Sequence, residues 1–117
     1  MRRMSFSLTE RQFLDGTKNV TRRTGWRGLQ KGDRFMAVRK CMGLKKGEKQ
    51  VVLGECVVLG ARRERLSEIT KHDCIREGFP DLTPDEFVDM FNRHMRCGPN
   101  ARITRIEFRR VESHRYV

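Results

Sequence analysis

The chain has 117 residues, with 26 Lys and Arg against 15 Asp and Glu and a formal net charge of +11. That length supports one core and a single domain, 1–117, without an internal linker, and the surplus charge favours polyanionic partners, because a cation set against a phosphate releases condensed counterions. No apolar run comes near the ~20 residues that cross a bilayer, and the start MRRMSFSLTE lacks the apolar core of a signal peptide, so no membrane association and a cytoplasmic location are expected.

In chain order, Ser7 to Gly16 reads as a short helix: Thr9 is placed to cap it, Gln12 stands three residues on, and Gly16 stops it. Lys18 to Arg23, β-branched in its middle, reads as a strand leading into a loop, Thr24 to Asp33, that holds Trp26 among three glycines. Arg34 to Met42 reads as a strand, Gly43 to Lys49 as a solvated hairpin loop, and Gln50 to Leu59 as a buried valine-rich strand with Gly54 a candidate bulge. Ala61 to Leu66 turns from strand toward a helical stretch, Ser67 to Arg76, that ends near Glu77-Gly78-Phe79-Pro80.

Thr83-Pro84-Asp85-Glu86 is a complete capping box with proline at the first helical position. Phe87, Met90, Phe91, His94 and Met95 then share one helix face, a stripe that reads as core. Cys97-Gly98-Pro99-Asn100 ends that helix, and Ala101 to Glu112 reads as a last strand with Ile106 and Phe108 inward and Arg105, Glu107 and Arg109 outward. Short strands punctuated by turns, with little βαβ alternation, indicate an α+β fold: a small antiparallel β-barrel with helices at its ends.

Cys41, Cys56, Cys74 and Cys97 are widely spaced, without a C-x-x-C pair, and read as reduced structural thiols. No metal or other cofactor is expected. A site built from His72, Cys74 and Cys97, or a thiol paired with His94 or His114, finds no support in the spacing.

Gly16-Thr17-Lys18-Asn19-Val20-Thr21-Arg22-Arg23, followed by Lys31-Gly32-Asp33 and the β-rich middle, resembles the ASCH domain of the PUA-like superfamily, over about Phe6 to Val111. The resemblance implies a small β-barrel and an association with RNA. One branch of that family is a bacterial amidohydrolase that removes the acetyl group of N4-acetylcytidine with a lysine, a threonine and a glutamate. Carried onto this chain, the lysine and threonine of G-x-K-x-x-T fall on Lys18 and Thr21, and the glutamate after the helical stretch matches Glu77. Asn19 replaces a second threonine of that branch and Arg22 an aliphatic residue, while Trp26, the Gly43 to Lys49 loop and the Glu77 to Pro80 segment are closer to uncharacterised bacterial and phage-encoded members. The fold therefore transfers more readily than the substrate.

Amide hydrolysis needs an activated nucleophile, a proton donor for the leaving amine and a donor to the developing oxyanion. A lysine serves as base only when desolvated or crowded by cations, and Arg22 and Arg23 supply the crowding. In a regular strand Lys18 and Thr21 point to opposite faces, so they converge only if Lys18 belongs to the turn after Gly16 or a bulge intervenes. On residue type alone Lys18 equally reads as a solvated lysine, Thr21 as a strand threonine and Glu77 as a helix-end charge. Three functions follow: a module binding RNA or a modified nucleoside, with Arg22, Arg23, Arg27, Lys31, Lys45 and Lys46 on phosphates and Trp26 stacking a base; an amidohydrolase using Lys18, Thr21 and Glu77; and a metal-free ribonuclease acting through the RNA 2′-hydroxyl.

Overall fold

The computed structural model describes residues 1–112. Five strands, β1 (Arg3–Ser5), β2 (Val20–Arg23), β3 (Arg34–Val38), β4 (Val52–Arg65) and β5 (Arg102–Arg110), form one sheet in the order β1-β3-β4-β5-β2. Three helices, α1 (Glu10–Leu14), α2 (Lys71–Arg76) and α3 (Pro84–Met95), complete it, with a 3-10 turn at Leu66–Glu68. The architecture is the expected small α+β fold, its sheet curled into a half-barrel rather than a closed barrel, since β1 and β2 remain free edges. Its sheet is mixed rather than wholly antiparallel, because β1, which the residue pattern did not mark as a strand, lies parallel to β3 with Arg3 opposite Met36. Among the described residues no helix is long and apolar enough to cross a membrane.

Strand β4 is the spine, paired with β3 on one side and β5 on the other. It runs on through Ala61–Arg65, where the residues read as a turn toward helix, because Arg62, Arg63, Glu64 and Arg65 find cross-strand partners in Arg105, Thr104, Ile103 and Arg102. Two register shifts curl the sheet. One leaves Leu53 unpaired beside Gly54, next to the position expected for a bulge, and the other leaves Leu59 unpaired. The remaining strands are shorter than the residue pattern implies, since pairing stops at Val38 in β3 and starts only at Val20 in β2.

The concave side holds the main core, in which Phe6 packs against Phe13, Phe35 and Phe108 with ring centroids 5.0, 6.4 and 5.7 Å apart. Ile106 and Phe108 face this core as the alternation in β5 requires, with Arg109 exposed on the other side. Arg105 keeps the alternation, on the face opposite Ile106, but is buried there against α2 rather than exposed. A second, smaller core of Leu66, Ile69, Cys74 and Phe87 ties α2 and α3 to the end of β4.

Helix ends follow local chemistry unevenly. Thr83 Oγ1 accepts from the Glu86 backbone N–H at 3.2 Å while Glu86 returns a bond to the Thr83 N–H at 2.9 Å, so the capping box is fully formed. Replacing Thr83 by alanine should cost about 1 kcal/mol of unfolding free energy, measured by urea denaturation. Thr9, by contrast, makes no side-chain cap, and α1 is five residues long. The expected helix from Ser67 splits: the 3-10 turn comes first, and Thr70 then caps α2 by accepting from the Asp73 N–H at 3.1 Å.

Candidate functional site

Two helix stops deliver the central pair of side chains. Gly16, at φ +82°, ends α1, and the Lys18 N–H donates to the Gln12 carbonyl at 3.0 Å, so Lys18 lies outside β2 and is free of strand alternation. Gly78, at φ +97°, ends α2 directly after Glu77, and a Cβ there would stand 3.0 Å from Gln12 Cβ, so both dihedral and space require glycine. Lys18 Nζ donates to Glu77 Oε1 at 2.8 Å and to the Glu77 carbonyl at 2.7 Å, a cation on a helix C-terminal carbonyl. Lys18 is 4% exposed and Glu77 3%. Burial pushes the Lys18 ammonium below its ordinary pKa; Glu77 pulls it up, and Arg23 and Arg22 add to the drop.

Thr21, in β2, is buried beside them, and its Oγ1 accepts from Arg23 Nε at 3.1 Å, which leaves the hydroxyl proton to be donated to a ligand. Arg23 also donates from Nη2 to the Ser5 carbonyl at 2.7 Å, with its guanidinium 5.0 Å from the Phe6 ring centroid. Strands β1 and β2 are the two free edges of the sheet, so this one side chain spans the seam where a closed barrel would have a ladder.

Arg22 points the other way, as strand alternation requires, into a buried ion cluster. Its Nη2 reaches Asp73 Oδ2 at 2.6 Å and Glu64 Oε2 at 3.0 Å, and its Nη1 reaches Glu77 Oε2 at 3.3 Å. Arg105, directly opposite Arg22 in β5, binds Asp73 through Nε at 2.7 Å and Nη2 at 3.1 Å. Burial opposes ionisation of Asp73, but these hydrogen bonds from Arg105 and Arg22 outweigh it and hold the carboxyl well below the usual range.

A cleft of about 570 Å³ opens at the β1–β2 seam, with Lys18, Thr21 and Glu77 on its floor. That size suits a ligand no larger than a nucleoside or a single nucleotide. One wall is the chain leaving β1, and the opposite lip is Thr24-Gly25-Trp26. Trp26 sits in the left-handed region at φ +59°, its ring edge-on to Phe35 at 6.0 Å and covered by the Arg2 guanidinium at 3.7 Å. Phe79, Phe87, Met90, Phe91, His94 and Met95 form the remaining wall.

No protein-family model matches the sequence, and neither does any curated protein. Among solved structures, a protein from Enterococcus faecalis described by the family model DUF984 superposes with a TM-score of 0.66 at 12% identity, covering 95% of this chain and 76% of that one. An ASCH domain from Lactobacillus crispatus superposes equally well, with a TM-score of 0.66 at 11% identity, covering 93% of this chain and 78% of that one. The chain has an ASCH-like fold.

Within the ASCH-like fold the residues singled out in the sequence separate into three groups. Lys18, Thr21 and Glu77 meet on the cleft floor, and Arg23 and Trp26 stand at its seam and lip. Arg22, expected on phosphates, is instead buried with its side chain 1% exposed, because three carboxylates surround its guanidinium. Arg27 is exposed next to the lip, whereas Lys31, Lys45 and Lys46 are exposed in loops that do not line the cleft. Asn19 turns away from the floor, accepting from Arg76 Nε at 2.8 Å.

Sequence reading missed the aromatic wall of the cleft. Only Phe87 of the α3 stripe is fully buried; Met90 and Phe91 are half-covered, and His94 and Met95 are exposed. A histidine within an apolar stripe was the available signal that one end faces solvent. Cys56 and Cys74 are buried, and burial pushes the Cys56 thiol up to about 12, which removes it as a nucleophile. No cysteine lines the cleft beside His94, and His114 lies outside the described residues. Among the described residues no group of three or more His, Cys, Asp or Glu is placed to hold a metal ion.

Proposed function

We propose that the cleft binds the base of a modified nucleoside and hydrolyses an acyl amide on it, N4-acetylcytidine being the prototype substrate. The observation that supports this reading is the meeting of Lys18, Thr21 and Glu77 on the floor of an aromatic-walled cleft. In this reading a planar base enters the cleft beside Trp26 and the half-covered Phe79 and Phe91, with its exocyclic amide directed at Lys18 and Thr21. Lys18, whose proton is loosened by burial, takes a proton from water as the water oxygen bonds to the acyl carbon. The Thr21 hydroxyl donates to the oxygen that becomes an anion, and Arg23, donating to Thr21 Oγ1, makes that hydroxyl a stronger donor. Lys18 then gives the proton to the leaving exocyclic amine as the C–N bond breaks, yielding carboxylic acid and free base. Glu77 keeps Nζ aimed throughout.

A simpler reading, a pocket that holds a nucleoside or an unpaired RNA base without turnover, is favoured by the two bonds from Lys18 Nζ to Glu77. One assay separates them. Trp26 is the only tryptophan, so its fluorescence reports occupancy of the cleft while chromatography follows release of cytidine from N4-acetylcytidine. Quenching with release supports hydrolysis; quenching without release selects binding; neither result removes both readings. Shortening of an RNA oligonucleotide in the same mixture would reveal ribonuclease chemistry instead.

A further inference from the structure

The concave sheet face continues beyond the cleft floor. Arg23 of β2 stands opposite Thr104 of β5, Thr104 opposite Arg63 of β4, and at the next step outward Arg102 stands opposite Arg65. Directly paired residues share a face, and Thr21 shares this one, so the file of side chains starts at the cleft and runs out along β4 and β5. Arg63 is held in place, donating to Thr104 Oγ1 at 2.8 Å and to the Arg102 carbonyl at 2.9 Å. Thr104 in turn donates to the carbonyl of Gly25, on the cleft lip, at 2.7 Å.

Like charges set directly opposite each other in a sheet are destabilising. On the other face, Arg22 opposite Arg105 is compensated by Asp73, Glu64 and Glu77. Here nothing compensates. Among the described residues Arg27, Arg63, Arg65 and Arg102 make no ion pair, as is true also of other surface arginines such as Arg3, Arg11, Arg93 and Arg109; what sets this group apart is that Arg63, Arg65 and Arg102 share one sheet face at neighbouring ladder positions. Desolvation and the neighbouring charges of Arg27 and Arg102 hold the Arg63 guanidinium below its ordinary pKa, the mark of cations crowded together.

We propose that Arg27, Arg63, Arg65 and Arg102 form the phosphate track of a single-stranded nucleic acid, one unstacked base of which enters the cleft. This rests on the base-pocket reading above and deepens it: the base that the cleft takes is presented within a strand, and the free nucleoside occupies the same cleft without the added hold of the track. A single strand is required because a base inside a duplex must leave its stack before it can enter a cleft. Preorganised guanidiniums suit phosphate oxygens, which accept paired N–H donors.

The test compares two double variants that remove the same charge, Arg65→Gln/Arg102→Gln on the track and Lys45→Gln/Lys46→Gln on the distant loop. All four side chains are exposed, so folding should survive in both, and a thermal melt checks it. Binding of fluorescein-labelled single-stranded RNA and DNA of the same sequence is followed by anisotropy across a salt series. The track variant should lose about tenfold in affinity at moderate salt, and its log–log salt slope should shrink by about 1.4, the release expected for two phosphates on a single strand. The lysine variant should stay near the parent. Binding of RNA, of DNA or of both in this arginine-dependent way supports the track and identifies the strand it takes. Equal losses in the two variants, or no oligonucleotide binding by the parent at low salt, would overturn it. Quenching of Trp26 by the free nucleoside should be unchanged in the track variant; if that quenching is absent even in the parent while arginine-dependent binding persists, the base pocket fails and the track stands.

Discussion

Replacing Arg22 by methionine should lower the unfolding free energy by about 3 kcal/mol, because taking one partner out of a buried ion cluster leaves uncompensated charge behind. Arg22 touches Asp73, Glu64 and Glu77 at once, and its own Nε has no hydrogen-bond partner among the described residues. The loss stays at the lower end of the range for such breaks, since each carboxylate keeps a second cation: Asp73 keeps Arg105, Glu64 keeps Arg62 at 3.1 Å, and Glu77 keeps Lys18. Urea denaturation at neutral pH, with an unchanged dependence on denaturant, measures it. A loss below about 1 kcal/mol would show that the cluster is relaxed by water rather than held by Arg22.

The same variant should be more sensitive to acid. Asp73 has a folded pKa below its unfolded one, so its contribution is fully present above the ordinary carboxylate value and disappears as pH falls through the folded value. Without Arg22 the folded value moves up, and the acid limb of the stability curve should move to higher pH. An acid limb that coincides with that of the parent would remove Arg22 from the set of groups holding Asp73 ionised.

Lys18→Met should reduce kcat for amide hydrolysis by about 10²- to 10⁴-fold, the usual contribution of a positioned base, with a much smaller change in KM. The fold should tolerate it. Methionine matches the lysine stem in length, and Glu77 retains Arg22 at 3.3 Å. In the parent the rate should rise with pH through a value below that of ordinary lysine, because Lys18 must lose its proton and burial, with Arg23 and Arg22, makes that easier against the pull of Glu77. Lys18→Met should lose this pH limb, and a limb that persists unchanged would assign the base elsewhere. A linked effect on stability has the same sign as that of Asp73, in a window at higher pH. Between the lowered folded value of Lys18 and the ordinary one the unfolded chain binds a proton that the folded site has released, so stability should rise with pH across that window.

The G-x-K-x-x-T-x-R stretch shows how the two levels of description divide. Its local meaning was partly legible: Gly16 stops a helix, and alternation puts Thr21 and Arg23 on one face of β2 with Arg22 on the other, whereas Lys18 read as part of the strand and only the late start of pairing at Val20 frees it from alternation. What Arg22 and Arg23 do was not legible, since both read as phosphate contacts. One is enclosed by Glu64 and Asp73, 42 and 51 residues away, and the other spans the seam to Ser5, 18 residues away. Such partners arise only when β4 and α2 are brought to one face of β2 and β1 to its free edge. The α3 stripe divides in the same way, because spacing shows that Phe87, Met90, Phe91, His94 and Met95 share a face but not what that face meets.

By itself, then, the amino-acid sequence determined what depends on neighbours a few residues apart: helix stops at Gly16 and Gly78, the capping box at Thr83 and the inward phase of Ile106 and Phe108; the candidate trio Lys18, Thr21 and Glu77 came from the family resemblance, not from local pattern. Only the tertiary structure decided which charges are compensated. Arg22 and Arg105 face Asp73 while Arg65 and Arg102 face each other, although all four are arginines in strands. The physical reason is that ionic compensation and desolvation depend on distances of a few ångströms between elements far apart in the chain, whereas turns, caps and strand phase depend on bonded geometry that each short segment carries within itself.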